Sequence, residues 1–175
     1  KQLLPRMKTD SNYQATQKVG SFCGQVFAKV VIPKLTIAVA GNYAQDAYDF
    51  TMIGGYAVAS VTDTLHNFVE YSPIGTMSVW ADLHTNGARL QGGLFVAYSK
   101  NLGSKDEIYG NFYSRGADVG YMYRISPRLI YNVGKFRIAP EVDYTVAAYG
   151  KVTKGTDAIP TDLNPVGNFR FLLGV

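Results

Sequence analysis

The chain is short of charge, tryptophan and cysteine, and it has no long apolar run. Charged residues make up 17% of its 175 residues, below the roughly 25% of ordinary soluble domains. Its one cysteine, Cys23, excludes an internal disulfide. No segment approaches the ~20 apolar residues of a transmembrane helix, which excludes a helical membrane protein. It does not exclude a membrane barrel, whose strands each give a weaker signal. The Lys and Arg residues are scattered singly, so the net charge of +4 does not point to nucleic acid. The opening segment, KQLLPRMKTDSNYQ, has neither an initiating Met nor an apolar stretch, and a mature or partial chain is expected.

Tyrosine and glycine are plentiful, with thirteen Tyr and eighteen Gly. Together with many short alternating segments and no helical periodicity, they indicate an all-β fold. In GKFRIAPEVDYTVAAYG (134–150), every second position from Phe136 is apolar or aromatic: Phe136, Ile138, Pro140, Val142, Tyr144, Val146, Ala148. Between them stand Arg137, Ala139, Glu141, Asp143, Thr145, Ala147 and Tyr149. Strand side chains point to opposite faces with period two, so this is a strand with one apolar and one polar face.

The same pattern recurs along the chain. SFCGQVFAKVVI aligns Phe22, Val26, Ala28, Val30 and Ile32, and LTIAVAGNY aligns Leu35, Ile37, Val39 and Tyr43. TMSVWADLH aligns Met77, Val79, Ala81 and Leu83, and RLQGGLFVAYSK aligns Leu90, Leu94, Val96 and Tyr98. DVGYMYRISPRLIYNVG aligns Tyr121, Tyr123, Ile125, Leu129 and Tyr131, and NFRFLLGV aligns Phe169, Phe171 and Leu173. TMIGGYAVASV (51–61) has no clear phase. Residues 1–19 read as a polar connection, and 20–175 as one domain of about eight strands. Tight turns are expected at Pro33-Lys34, Asn86-Gly87 and Gly134-Lys135. Polar loops are expected over 62–72, 101–116 and 150–166.

Several segments reach the 9–11 residues that cross a bilayer when tilted, and short turns alternate with long loops over the second half. Tyr and Phe cluster near the segment ends of the apolar faces, where interfacial girdles would place them. These features favour an antiparallel up-and-down transmembrane β-barrel. Phe136, Ile138, Val142, Tyr144, Val146, Tyr121, Tyr131, Leu94, Val96, Phe169 and Phe171 are then expected to face lipid. Pro127 and Pro140 fall within otherwise long strands, and neither reading accounts for them.

WADLHTNGARLQGGLFVAYSKNLGSKD (80–106) and YRISPRLIYNVGKFRIAPEVDYTVAAYG (123–150) resemble the C-terminal half of porin-like outer-membrane proteins of Bacteroidetes. The shared features are a W-x-D strand, a G-L-F-x-x-Y-x-K-N-L-G strand and an R-x-x-P-R…G-K…E-x-x-Y-T-x-A-A-Y-G hairpin. Such barrels usually close on an aromatic residue, whereas this chain stops at RFLLGV. The resemblance therefore implies a segment of a larger barrel, in the outer membrane of a Gram-negative bacterium.

The ionisable residues expected to line the lumen are Lys29, Asp82, Arg89, Arg124, Arg128, Arg137, Glu141, Asp143 and Arg170. They would either steer anionic solutes through a pore or pair across strands as a structural ladder, Arg124 and Arg128 with Glu141 and Asp143. Asp82, His84 and Ser78 share a face and could mimic a catalytic triad, but no pocket is evident and no enzyme is expected. No cofactor is implied, and no Cys/His cluster has metal-ligand spacing. Trp80 is expected to pack under a plug or an inward-folded loop more often than to stack on a sugar. Gly54-Gly55 and Gly92-Gly93 should mark bulges or close approaches.

The expected function is passive diffusion of small hydrophilic solutes, in contact with outer-membrane lipid and in a homo-oligomer or larger membrane complex. The alternatives are a soluble β-barrel binding an apolar ligand, and a small membrane barrel with a structural or adhesive role through its loops. Val142→Arg should be costly if its face meets lipid, and Asp143→Asn mild.

Overall fold

A computed structural model describes residues 1–175. In chain order its strands are β1 (Gln2–Leu3), β2 (Val19–Gly20), β3 (Cys23–Ile32), β4 (Leu35–Gln45), β5 (Gly54–Asp63) and β6 (Phe68–Thr85). They continue with β7 (Leu90–Ser104), β8 (Phe112–Arg115), β9 (Val119–Val133), β10 (Phe136–Lys151) and β11 (Thr161–Gly174). A single 3-10 turn, Ala47–Phe50, separates β4 from β5. Every pairing is antiparallel.

The main sheet runs β11-β10-β9-β7-β6-β4-β3, and its outer strands β11 and β3 do not meet. The fold is all-β and antiparallel as the alternation implies, and within these residues the sheet is open rather than closed on itself. It exposes 10813 Å², where a compact chain of this mass would expose about 8,400 Å². Only 30 of 175 residues are buried. The one other sheet is the two-stranded β1-β2 pair, which packs against β6 at the loop end.

Several strands run further than the apolar alternation suggested. The stretch 62–72 is not a loop: β5 reaches Asp63 and β6 starts at Phe68. Likewise β7 extends to Ser104, β8 lies inside 101–116, and only 152–160 separates β10 from β11. These extensions carry polar residues on both faces, so period two has no apolar side to reveal there.

β5 continues the line of β4. Both pair with β6, β4 with its second half and β5 with its first. The other side of β5 takes β8, through Gly54↔Arg115 to Ala57↔Phe112. This approach needs glycine: at Gly55 (φ 150°) a Cβ would lie 2.3 Å from the Tyr113 carbonyl oxygen. The Gly54-Gly55 pair thus marks a close backbone approach.

The loops at this end fold together into a small apolar core of Ala57, Ile74, Ile108 and Ala158. The amide of Ile108 donates to the Thr156 carbonyl (2.8 Å) and that of Gly155 to the Ile108 carbonyl (2.8 Å). Ser104 Oγ donates to Ser72 Oγ (2.7 Å), which donates to Asp106 Oδ2 (2.7 Å). The first nineteen residues are not merely a connection. Ala15 and Val19 are buried, Arg6 donates to the Asn67 carbonyl and Asn67 Nδ2 to Ser11 Oγ. At the β5–β6 turn, His66 Nδ1 lies 2.7 Å from Asp63 Oδ2 and holds the Asp63 carboxyl below the usual carboxylate range.

The opposite end is trimmed to turns at 33–34, 86–89 and 134–135. Asn86 ties two of them: its amide donates to the Lys34 carbonyl (3.0 Å) and its Nδ2 to the Ile32 carbonyl (2.8 Å).

The two prolines now have an account. Both lie along the β9–β10 seam, whose pairing is interrupted between Ile138↔Tyr131 and Glu141↔Arg128, and again between Glu141↔Arg128 and Tyr144↔Ile125. The missing proline donors fall in these gaps. Across the second gap, Ser126 Oγ donates to Asp143 Oδ1, so a side-chain bond replaces part of the lost ladder.

Candidate functional site

Strand register sorts the long strands into two unlike faces. One carries the residues expected to face lipid. Val142 pairs with Phe171, Tyr144 with Ile125 and Phe169, Val96 with Ile125, and Leu94 with Leu83. Along β9, Tyr121 and Tyr131 keep the same parity, and Phe136 and Ile138 do so along β10. Below Lys100 this face has no Asp, Glu, Lys or Arg on any of the seven long strands. On the strands inside the sheet its apolar side chains are the exposed ones, with Val79 at 46% and Leu129 at 55%.

Tyr98 and Tyr121 stack at 6.1 Å, Tyr123 meets Tyr144 edge-on at 6.4 Å, and Tyr144 lies 4.5 Å from Phe169. These rings form a band near the loop end, while Tyr131 and Phe136 stand near the turn end. Val146 departs from expectation. It sits on this face but is only 3% exposed, between its register partners Tyr123 and Gly167. The ring of Tyr144 covers Gly167, where a Cβ would meet Tyr144 Oη at 2.8 Å. That ring shields this part of the strand.

The other face carries Lys29, Asp82, Arg124, Arg128, Arg137, Glu141, Asp143 and Arg170, and it is the crowded one. Asp143 is 2% exposed and Ser126 1%. Over the strands inside the sheet burial is therefore inverted, with polar groups sheltered and apolar ones exposed, while the edge strands β3 and β11 are exposed on both faces.

The ion pairs follow the expected ladder only in part. Arg124 Nη2 lies 3.7 Å from Asp143 Oδ2, and its Nε donates to Thr145 Oγ1 at 3.3 Å. Arg128 is in register with Glu141 but reaches Asp82 instead, at 2.7 Å. It crosses β7 over Gly93, where a Cβ would meet Arg128 Nε at 2.8 Å. Gly93 is thus a close approach, whereas nothing lies within 4 Å of a Cβ at Gly92. Lys29, Arg137 and Arg170 form no ion pair and are exposed. Arg89 lies in the turn before β7 rather than within a strand, its guanidinium 5.9 Å from the Tyr131 ring. Tyr131 belongs to the apolar face, so Arg89 leaves the polar set; the turn breaks the alternation that placed it there.

Asp82 also receives His84 Nδ1 at 3.0 Å. Ser78 stands six residues from His84 on one strand, about 20 Å away, and bonds Ser99 instead. No triad is assembled.

Trp80 is not under a loop. Its ring lies 6.0 Å from Phe27 and 5.9 Å from Phe95, forming a row of aromatics on the polar face. A groove of about 310 Å³ beside it is lined by strand residues, among them Ser78, Ser99, Arg124 and Thr145. The aromatic row was missed because Phe27 and Phe95 fall on polar positions of different strands, and only register joins them.

Comparisons with known protein families, with curated proteins and with solved structures return no match for this chain.

Proposed function

We propose that this sheet is a stretch of the wall of an outer-membrane β-barrel in a Gram-negative bacterium. It conducts small hydrophilic solutes passively along its polar face, without covalent chemistry. The observation that carries the reading is the inverted burial: an exposed face without a formal charge below Lys100, backed by a crowded face bearing the ion pairs.

The spacing of the aromatics supports it. Tyr121 and Tyr131 are ten residues apart on β9, about 33 Å along a strand. At a tilt of about 40° this spans about 25 Å, the height of the apolar band of such barrels. A soluble barrel with an apolar interior would crowd its apolar face, the reverse of this arrangement. Lipid cannot satisfy open backbone groups, so β3 and β11 each meet a further strand when the wall closes.

Two measurements test the reading. The protein should need detergent or lipid to stay monodisperse, and it should give ohmic conductance steps in planar bilayers. Monodispersity in plain buffer would remove the membrane reading. A folded but silent protein in lipid would favour the structural or adhesive alternative instead.

A further inference from the structure

We propose that Trp80, with Phe27 and Phe95, forms a stacking track for a neutral saccharide on the polar face. The track deepens the pore reading above and rests on it. Three aromatic rings in a row on the face that bears the ion pairs call for an explanation. Packing beneath a loop does not supply one. The loop core lies at Ile74, six residues up β6 from Trp80 and about 20 Å away. No loop residue lines the groove beside the ring.

The neighbours of the rings are small. Ala40 pairs with both Phe27 and Trp80, and Ala97 pairs with both Trp80 and Arg124. A bulky residue at either position would interdigitate with the rings. Alanine puts no large side chain between the half-exposed Trp80 and Phe95 rings and Phe27, whose planes lie at 48° (Phe27–Trp80) and 34° (Trp80–Phe95).

Around the rings stand hydrogen-bonding groups: the Ser78–Ser99 hydroxyl pair, Thr145 Oγ1 and the Arg124 guanidinium. A pyranose ring has the matching anatomy, with a C–H face for an aromatic ring and a rim of hydroxyls for polar partners. Ligand sites commonly combine mostly apolar walls with a few placed polar groups, in volumes of roughly 300–1,000 Å³. At about 310 Å³ the groove sits at the small end of that range.

Charge selects between a neutral and an anionic ligand. Arg124 is the cation lining the groove, and Asp143 and Thr145 already engage it. The unpaired cations Lys29, Arg137 and Arg170 do not line the groove. A neutral polyol therefore fits better than an anion.

Trp80 is the only tryptophan, so its emission reads the site directly. Maltohexaose, cellohexaose and xylohexaose, titrated separately in detergent and in planar bilayers, are the probes, with benzenesulfonate as the anionic comparison. The expected result is a saturable change in Trp80 emission and a saturable block of current by at least one saccharide. Trp80→Ala should weaken the block at least about tenfold while leaving the unblocked conductance in place. Trp80→Phe, which keeps a stacking face, should weaken it less.

Channels that conduct but ignore all three saccharides would overturn the track and leave the pore reading standing. A response to benzenesulfonate alone would overturn it in favour of an anion site. A folded protein that does not conduct would remove the pore reading, and Trp80 emission then decides: a saturable saccharide change upholds the track, and no change overturns it.

Discussion

The loop end and the long strands obey opposite rules within one chain. At the loop end, Ile74 and Ile108 are buried among alanines, and buried hydroxyls hydrogen-bond one another, as in any water-soluble domain. Further down β6, Val79 and Leu83 are exposed, and across the sheet Ser126 on β9 and Asp143 on β10 are sheltered. The hydrophobic effect drives apolar groups from water, so on the proposed reading the change marks where the medium outside the sheet turns from water to lipid. Lipid tails are as apolar as leucine and impose no such drive.

This contrast can be tested by equal changes at the two ends. Ile108→Ala should have the largest effect, about 2–5 kcal/mol, since it empties a closed core. Amide exchange at Ile108 and Gly155 should report loss of the contact between loops 105–111 and 152–160. Val96→Ala, measured by unfolding from phospholipid vesicles, should fall well below it. Comparable costs at both sites would erase the distinction.

Val142→Arg should come next, at about 2–4 kcal/mol near the middle of the apolar band. Asp143→Asn is no longer expected to be mild. The carboxylate is buried, accepts a bond from Ser126 and faces Arg124. Weakening a charged hydrogen bond in such a place should cost about 1–2 kcal/mol. An Asp143→Asn protein as stable as the parent would show that the polar face is wetter than its crowding implies.

The smallest effect belongs to the exposed β5–β6 turn. His66 lowers the Asp63 carboxyl below its usual range, and the backbone amides of Leu65 and His66 also bond to it. A carboxylate whose folded value is depressed stabilises the fold above its unfolded value, about pH 4. That contribution disappears as pH falls through the folded value. The Leu65 and His66 amide resonances should shift on this descent while those of β9 stay fixed. A shift of both together would mean that the turn and the sheet unfold as one unit.

How much of this was legible in sequence depended on whether a feature was local. The two faces of β10 could be read from alternation, because neighbours along one strand define them. The tight turns at Asn86-Gly87 and Gly134-Lys135 were equally local. The path of Arg128 over Gly93 to Asp82 was not, since three strands must be in register before those residues meet. The pairing of β8 with β5 was hidden for the same reason: four residues far from their partner give no periodic signal. Whether a sheet closes is a property of its edges, and no stretch of β3 or β11 announces its neighbour.

The paired gaps at Pro127 and Pro140 give the sheet a crease. Along that line, two interruptions in one ladder flank a single Glu141↔Arg128 rung, with the Ser126–Asp143 bond acting as a catch. Rungs from Phe136↔Val133 to Ile138↔Tyr131 and from Tyr144↔Ile125 to Tyr149↔Val119 hold β10 to β9 on either side, so the loosening is confined to the middle of this seam. Amides bordering the crease should accordingly exchange faster than those of the uninterrupted β4–β6 ladder.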